Sequence, residues 1–241
     1  MTPARQPPRP DARRRRALRL IGWLVAGYAM VAYVALPRLW HIYESHRPEA
    51  PALRALTPIG VPGDPLNIGL IGTEADLERI MTRAGWFRAD PITLSSSLGI
   101  ARSILFGNSD PHAPVSTLIF QGRPQDLAYE KPITRDADQR HHVRLWRMAP
   151  PTASGPPLWY GAATRDVAVG LNHLTGQFTH HIDPDIDRER DALIADLAAT
   201  GELGQVSTET GLGPALRGRN GEYDLFYTDG MMKVAPILPE G

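Results

Sequence analysis

Two kinds of apolar pattern run along this chain, and between them they place its elements. From Leu20 to Leu36 seventeen residues pass without a charge, LIGWLVAGYAMVAYVAL. A helix rises about 1.5 Å per residue, so such a run can just cross a hydrocarbon core of roughly 30 Å. Farther on the apolar positions take the spacing of a helix with one buried face. Leu77, Ile80, Met81 and Ala84 form one stripe over 74–85, opened by a Thr73/Asp76 capping box and stopped by Gly85. Leu98, Ala101, Ile104 and Leu105 predict a second helix over 94–106, weakened by Gly99, and Ile186, Leu193, Ile194 and Leu197 a third over 184–199. Elsewhere the runs are short, β-branched and aromatic, and they predict strands at 115–120, 127–130, 141–148, 158–163 and 165–171. The chain closes on a hairpin, 223–228 and 231–238, around the two-residue loop Asp229-Gly230. Three helices and about seven strands without regular alternation predict an α+β fold with a mostly antiparallel sheet, preceded by one transmembrane helix.

The ends of the apolar run define the organisation. Seven arginines and one aspartate lie in the first nineteen residues, including 13-RRRR-16. By the positive-inside rule this Arg-rich tail, 1–19, stays in the cytoplasm, and everything beyond the anchor, 20–37, lies on the outer side. Trp23, Tyr28, Tyr33 and Trp40 supply interfacial aromatics, and Pro37 is expected to end the helix. A retained signal anchor in the inner membrane is preferred to a cleaved signal peptide, because no good small-x-small pair follows the apolar core. Residues 38–63 are Pro-rich and read as a linker, and 64–238 as the exported, periplasmic domain.

Composition narrows the chemistry. The chain has 241 residues and no net charge, so the remainder balances the basic tail with an excess of about six acidic groups, which argues against a nucleic-acid partner. There is no cysteine, which removes disulfides, thiol catalysis and thiolate metal sites. Phosphate-loop, dinucleotide, zinc-protease and nucleophile-elbow motifs are absent.

Clusters of polar residues remain. In 140-RHHVRLWRM-148 strand alternation puts Val143 and Leu145 on one face and His142, Arg144 and Trp146 on the other. With Arg123 after a turn at Gly122, His142 and Arg144 could bind a phosphate or carboxylate; alternatively this is a polar outer face on which Trp146 covers the arginine stem. In 179-THHIDPDIDRERD-191 the aspartates fit a helix start, with Asp183 as N-cap and Pro184 at the first position. A calcium loop fails, since its glycine and glutamate positions hold Arg188 and Ile194. The histidines are not accounted for by capping. His142, His181 and Asp183 are candidate ligands of a divalent metal, with Asp166 or Asp187 as a candidate catalytic base.

The succession 114-PVSTLIFQGRPQDLAYEK-131, 140-RHHVRLW-146, 159-WYGAATRD-166, 180-HHIDPDIDRERD-191 and 228-TDG-230 resembles the LssY C-terminal domain family of bacterial envelope proteins over roughly Asp64 to Ile237. The resemblance implies an envelope or phospholipid-related binding or accessory module. It also implies membrane partners of the type 2 phosphatidic acid phosphatase-like or DedA-like kind. It carries no established reaction and no catalytic residue. A metal-dependent hydrolase acting on a phosphorylated or lipid substrate is the alternative.

Overall fold

The computed structural model describes residues 12–44, 46, 53–89, 116–133, 139–149, 155–213 and 217–240; the helix expected over 94–106 lies outside them. The apolar amino-terminal run is helical from Ala12 to Glu44, as α1 (Ala12–Met30), a π-helical turn (Val31–Ala35) and α2 (Leu36–Glu44). Pro37 therefore does not end the helix. The proline ring would strike the carbonyl four residues back, and the wider π turn just before it gives the ring room. Only 6% of the apolar window of this helix is covered by the rest of the chain.

The domain is built on one long central strand. It comprises β1 (Arg54–Leu56), β2 (Pro62–Pro65), β3 (Ile68–Ile71), α3 (Glu74–Arg83), β4 (Phe87–Arg88), β5 (Ile119–Phe120), β6 (Arg123–Pro124), β7 (Leu127–Pro132), β8 (Arg140–Met148), β9 (Leu158–Leu171), β10 (Phe178–Ile182), α4 (Ile186–Ala199), β11 (Ser207–Thr210), β12 (Arg217–Arg219), β13 (Leu225–Tyr227) and β14 (Met231–Pro236). The main sheet runs β11-β14-β3-β9-β8-β7-β4, with β10 on the distal half of β9. All its pairs are antiparallel except β14 with β3. A four-stranded sheet, β2-β1-β5-β6, and a β12-β13 ribbon complete the fold.

Alternation along β8 sorts the two faces. Val143 and Leu145 face α3 and α4, where Leu77, Ile80, Met81, Trp86, Leu193 and Leu197 close the larger core. Each such fully buried aliphatic side chain contributes about 1.5–3 kcal/mol over its exposed state. Trp146 faces the other way and packs with Ala162 of β9 and with Ala55, Leu66, Leu118 and Phe120 in or next to the four-stranded sheet. Both faces of the central strands are thus covered, in three layers, and the face carrying His142 and Arg144 is interior rather than a solvated outer surface.

Several local expectations are corrected. The segments 158–163 and 165–171 are one strand of 14 residues, because Thr164, read as a break, pairs with His142 of β8. The stretch read as linker holds β1 and the first half of β2, with Ala55 and Val61 buried. The Asp229-Gly230 hairpin does not form, since β13 pairs with β12 and β14 with β11 and β3. Gly230 still turns the chain, at φ 76°, but its carbonyl accepts the Gly211 and Gly213 amides, which brings β11 rather than β13 alongside β14. The third helix starts two residues late. Its N-cap is Asp185, whose carboxylate accepts the Arg188 amide, while Asp183 accepts the Asp185 amide. The capping box at Thr73 and Asp76 is formed as expected.

Candidate functional site

The polar residues singled out in the sequence separate into several clusters rather than one. The first is a seam buried between the two sheets. Arg140 bonds Glu130 at 2.8 Å and Asp166 at 3.0 Å, and all three are at most 6% exposed in their side chains. Arg144 bonds Asp64 at 3.0 Å and the carbonyl and hydroxyl of Ser116. It also points a guanidinium N–H at His142 Nε2, 3.0 Å away. Arginine can only donate, so Nε2 accepts and the proton of a neutral ring sits on Nδ1, 3.3 Å from Asp166. Burial alone would raise the Asp166 carboxyl, but His142, then His180 and Arg140, hold it well below the ordinary carboxylate range. At the other end of the seam, burial and the Asp64 charge push the Glu222 carboxyl up to about 8. His142 and Arg144 are therefore partners in an internal network.

Arg123 is elsewhere. It is on the surface at β6, bonded to Asp126 and to the Arg147 carbonyl, so the three residues expected to bind one anion do not converge. Asp187 is also apart. It accepts the Thr228 hydroxyl at 2.7 Å and the Asp229 amide at 2.6 Å, and it meets Arg190. Arg190 in turn holds Asp229 through two nitrogens. That group latches α4 to the turn before β14.

The two histidine pairs split four ways because neighbours on a strand face opposite sides. His141 turns to α4, where its Nδ1 lies 2.8 Å from Glu189, and with Asp183, Asp185, Arg165 and Arg188 it lines a shallow cleft. Asp183 thus lines the same cleft as His141, which includes neither His142 nor His181. His180 acts on the Asp166 carboxyl, and His142 lies in the seam. His181 joins residues that sequence reasoning passed over. Its Nδ1 lies 2.8 Å from Asp224 Oδ1, and His173 Nε2 reaches the same oxygen at 3.4 Å. The two imidazole rings are 5.2 Å apart between centroids. Of the three metal candidates expected, only His181 is in a cluster with metal-ligand spacing among the described residues.

The His173–His181–Asp224 cluster lies at the β9–β10 hairpin, beside the amino-terminal helix. The Trp40 indole N–H donates to the Leu174 carbonyl at 3.1 Å, and the Tyr28 hydroxyl to that of Gly176 at 2.5 Å.

Fold and helix together define an α+β domain carried on a candidate membrane anchor. The family model described as the LssY C-terminus matches residues 47–232, and the chain belongs to that family. No curated protein and no solved structure matches it.

Proposed function

We propose that this is a single-pass protein of the inner membrane. Its domain works on the periplasmic side as a binding or accessory module in envelope or phospholipid physiology, beside a membrane partner of the phosphatase-like or DedA-like kind. One observation carries the reading: a 31-residue helix, Arg13–Tyr43, stands almost uncovered on a folded domain of the LssY C-terminal family. A core helix would be buried, and this one offers its apolar surface to lipid. The four arginines at its start favour the orientation with the amino terminus in the cytoplasm. The carboxylates considered as catalytic bases support a binding role over hydrolysis. Asp166 is enclosed by Arg140 and His142, and Asp187 is occupied by Thr228, Asp229 and Arg190.

The chain's lack of cysteine makes the test clean. Single variants Thr2→Cys and Ser207→Cys are treated with a membrane-impermeant maleimide in cells whose outer membrane has been permeabilised. Ser207→Cys is expected to label in intact spheroplasts and Thr2→Cys only after lysis, with both proteins staying in the membrane through alkaline extraction. The reverse labelling would overturn the orientation, and release by alkali would overturn the anchor.

A further inference from the structure

We propose that His173, His181 and Asp224 form a binding site for one divalent transition-metal ion of the zinc class, with three protein ligands and an open fourth position. Two imidazoles and one carboxylate are the nitrogen and oxygen donors that such ions take when thiolates are absent. Their donor atoms all lie within 4.8 Å of one another. In a tetrahedral site with bonds of about 2.0–2.1 Å, ligand atoms sit about 3.3 Å apart. The 2.8 and 3.4 Å separations from Asp224 Oδ1 bracket that value. A small opening of the His181–Asp224 pair would admit the ion.

The surroundings hold this geometry in place before any ion arrives. Asp224 is fixed by the loop Asn220–Asp224, where its amide donates to Asn220 Oδ1 and its carbonyl accepts the Asn220 amide. Its second oxygen accepts the Ile182 amide, one residue beyond His181. The His173 amide donates to the Glu222 carbonyl, which ties the hairpin tip to the same loop. Gly170 supplies the remaining space. A Cβ there would come within 2.5 Å of His181 Nε2, so the ring lies over the bare backbone of β9. On the opposite side the site is open, because the His173 side chain is 58% exposed. Closed structural zinc sites use four protein ligands, whereas three ligands with an open edge leave room for water or an anionic oxygen. The hairpin that carries His173 and His181 also accepts hydrogen bonds from Trp40 and Tyr28, so the open position lies near the membrane helix.

The site is independent of the membrane reading, and its test runs on the full chain in detergent, purified through a tag without histidines and stripped with a chelator. Titration with Co²⁺ is expected to give visible d–d absorption that saturates at one ion per chain and is displaced by Zn²⁺. His173→Ala should weaken Co²⁺ binding at least tenfold while leaving the metal-free thermal midpoint unchanged, since that side chain is mostly exposed. His141→Ala, in the separate cleft with Glu189, should bind Co²⁺ as the parent does. Absence of a saturable d–d band, or equal affinity in the parent and His173→Ala, would overturn the site and leave a hydrogen-bonded His-Asp-His group. Neither result alters the cysteine-labelling pattern that tests the anchor.

Discussion

Arg140 enters the interior with two carboxylates, and the arithmetic of buried charge makes it the residue on which the seam most depends. Removing it takes from Glu130 and Asp166, each at most 3% exposed, the guanidinium that bridges them. Breaking a buried pair in this way costs about 3–5 kcal/mol, so Arg140→Met should lower the denaturation free energy by that order in chemical unfolding of the detergent-solubilised protein. Arg123→Ala removes a pair that is more than a third exposed on both sides, and exposed pairs contribute about 1 kcal/mol or less. Equal losses in the two variants would contradict the layered arrangement. Asp166 adds a pH signature. Its folded-state carboxyl is held below the unfolded value of about 4, so its ionisation stabilises the fold above that value. The contribution fades as the pH falls toward the folded-state value. Asp166→Asn should therefore be less stable than the parent at pH 7, and the gap should narrow in unfolding curves taken progressively below pH 4. A constant gap across that range would remove the linkage.

Elements show why some of this architecture is legible in the sequence and some is not. Helix α3 was readable because all its signals are local: the reciprocal Thr73–Asp76 bonds, the stripe Leu77, Ile80, Met81, and Gly85 at φ 79°. Thr73→Ala should cost about 1 kcal/mol, the usual worth of an N-cap, seen as a lower midpoint in urea. The turn at Gly230 was readable, but its partners were not, because they depend on amides from Gly211 and Gly213 and on Arg190 gripping Asp229. Gly230→Ala places a Cβ against the Gly213 carbonyl on a backbone at positive φ. It should cost more than the roughly 1 kcal/mol of a left-handed non-glycine residue, and the added loss should appear at the β11–β14 edge as faster amide exchange. The same non-locality hid the metal-ligand cluster. His181 stood out through its neighbour, but Asp224 is 43 residues away and His173 lies in a hairpin turn. Only the pairing of β10 with β9 and the docking of the 220–224 loop bring them together.

At the scale of the whole molecule, the long strand β9 links the interior to the amino-terminal helix. Its first half sits between β3 and β8 in the core, and its second half, paired only with β10 past Asp166, runs out to the tip that meets Trp40. The tip is bonded both to Trp40, at the outer end of the apolar run, and to Tyr28 within it, so it should lie at or below the headgroup level when the helix spans a bilayer. Val169 and Leu171 are 42% and 48% exposed on this projection, an apolar surface that water alone would leave uncompensated. Leu171→Cys carrying a fluorophore should therefore be quenched by spin labels attached to the lipid headgroup region in proteoliposomes. The control is Glu209→Cys on β11, at the far edge of the main sheet, where the same label should remain unquenched. Equal quenching at the two positions would place the whole domain at one distance from the membrane and separate the hairpin from it. Stronger quenching at Leu171 fixes the domain's tilt, with the β9–β10 tip toward the lipid and the β11 edge away.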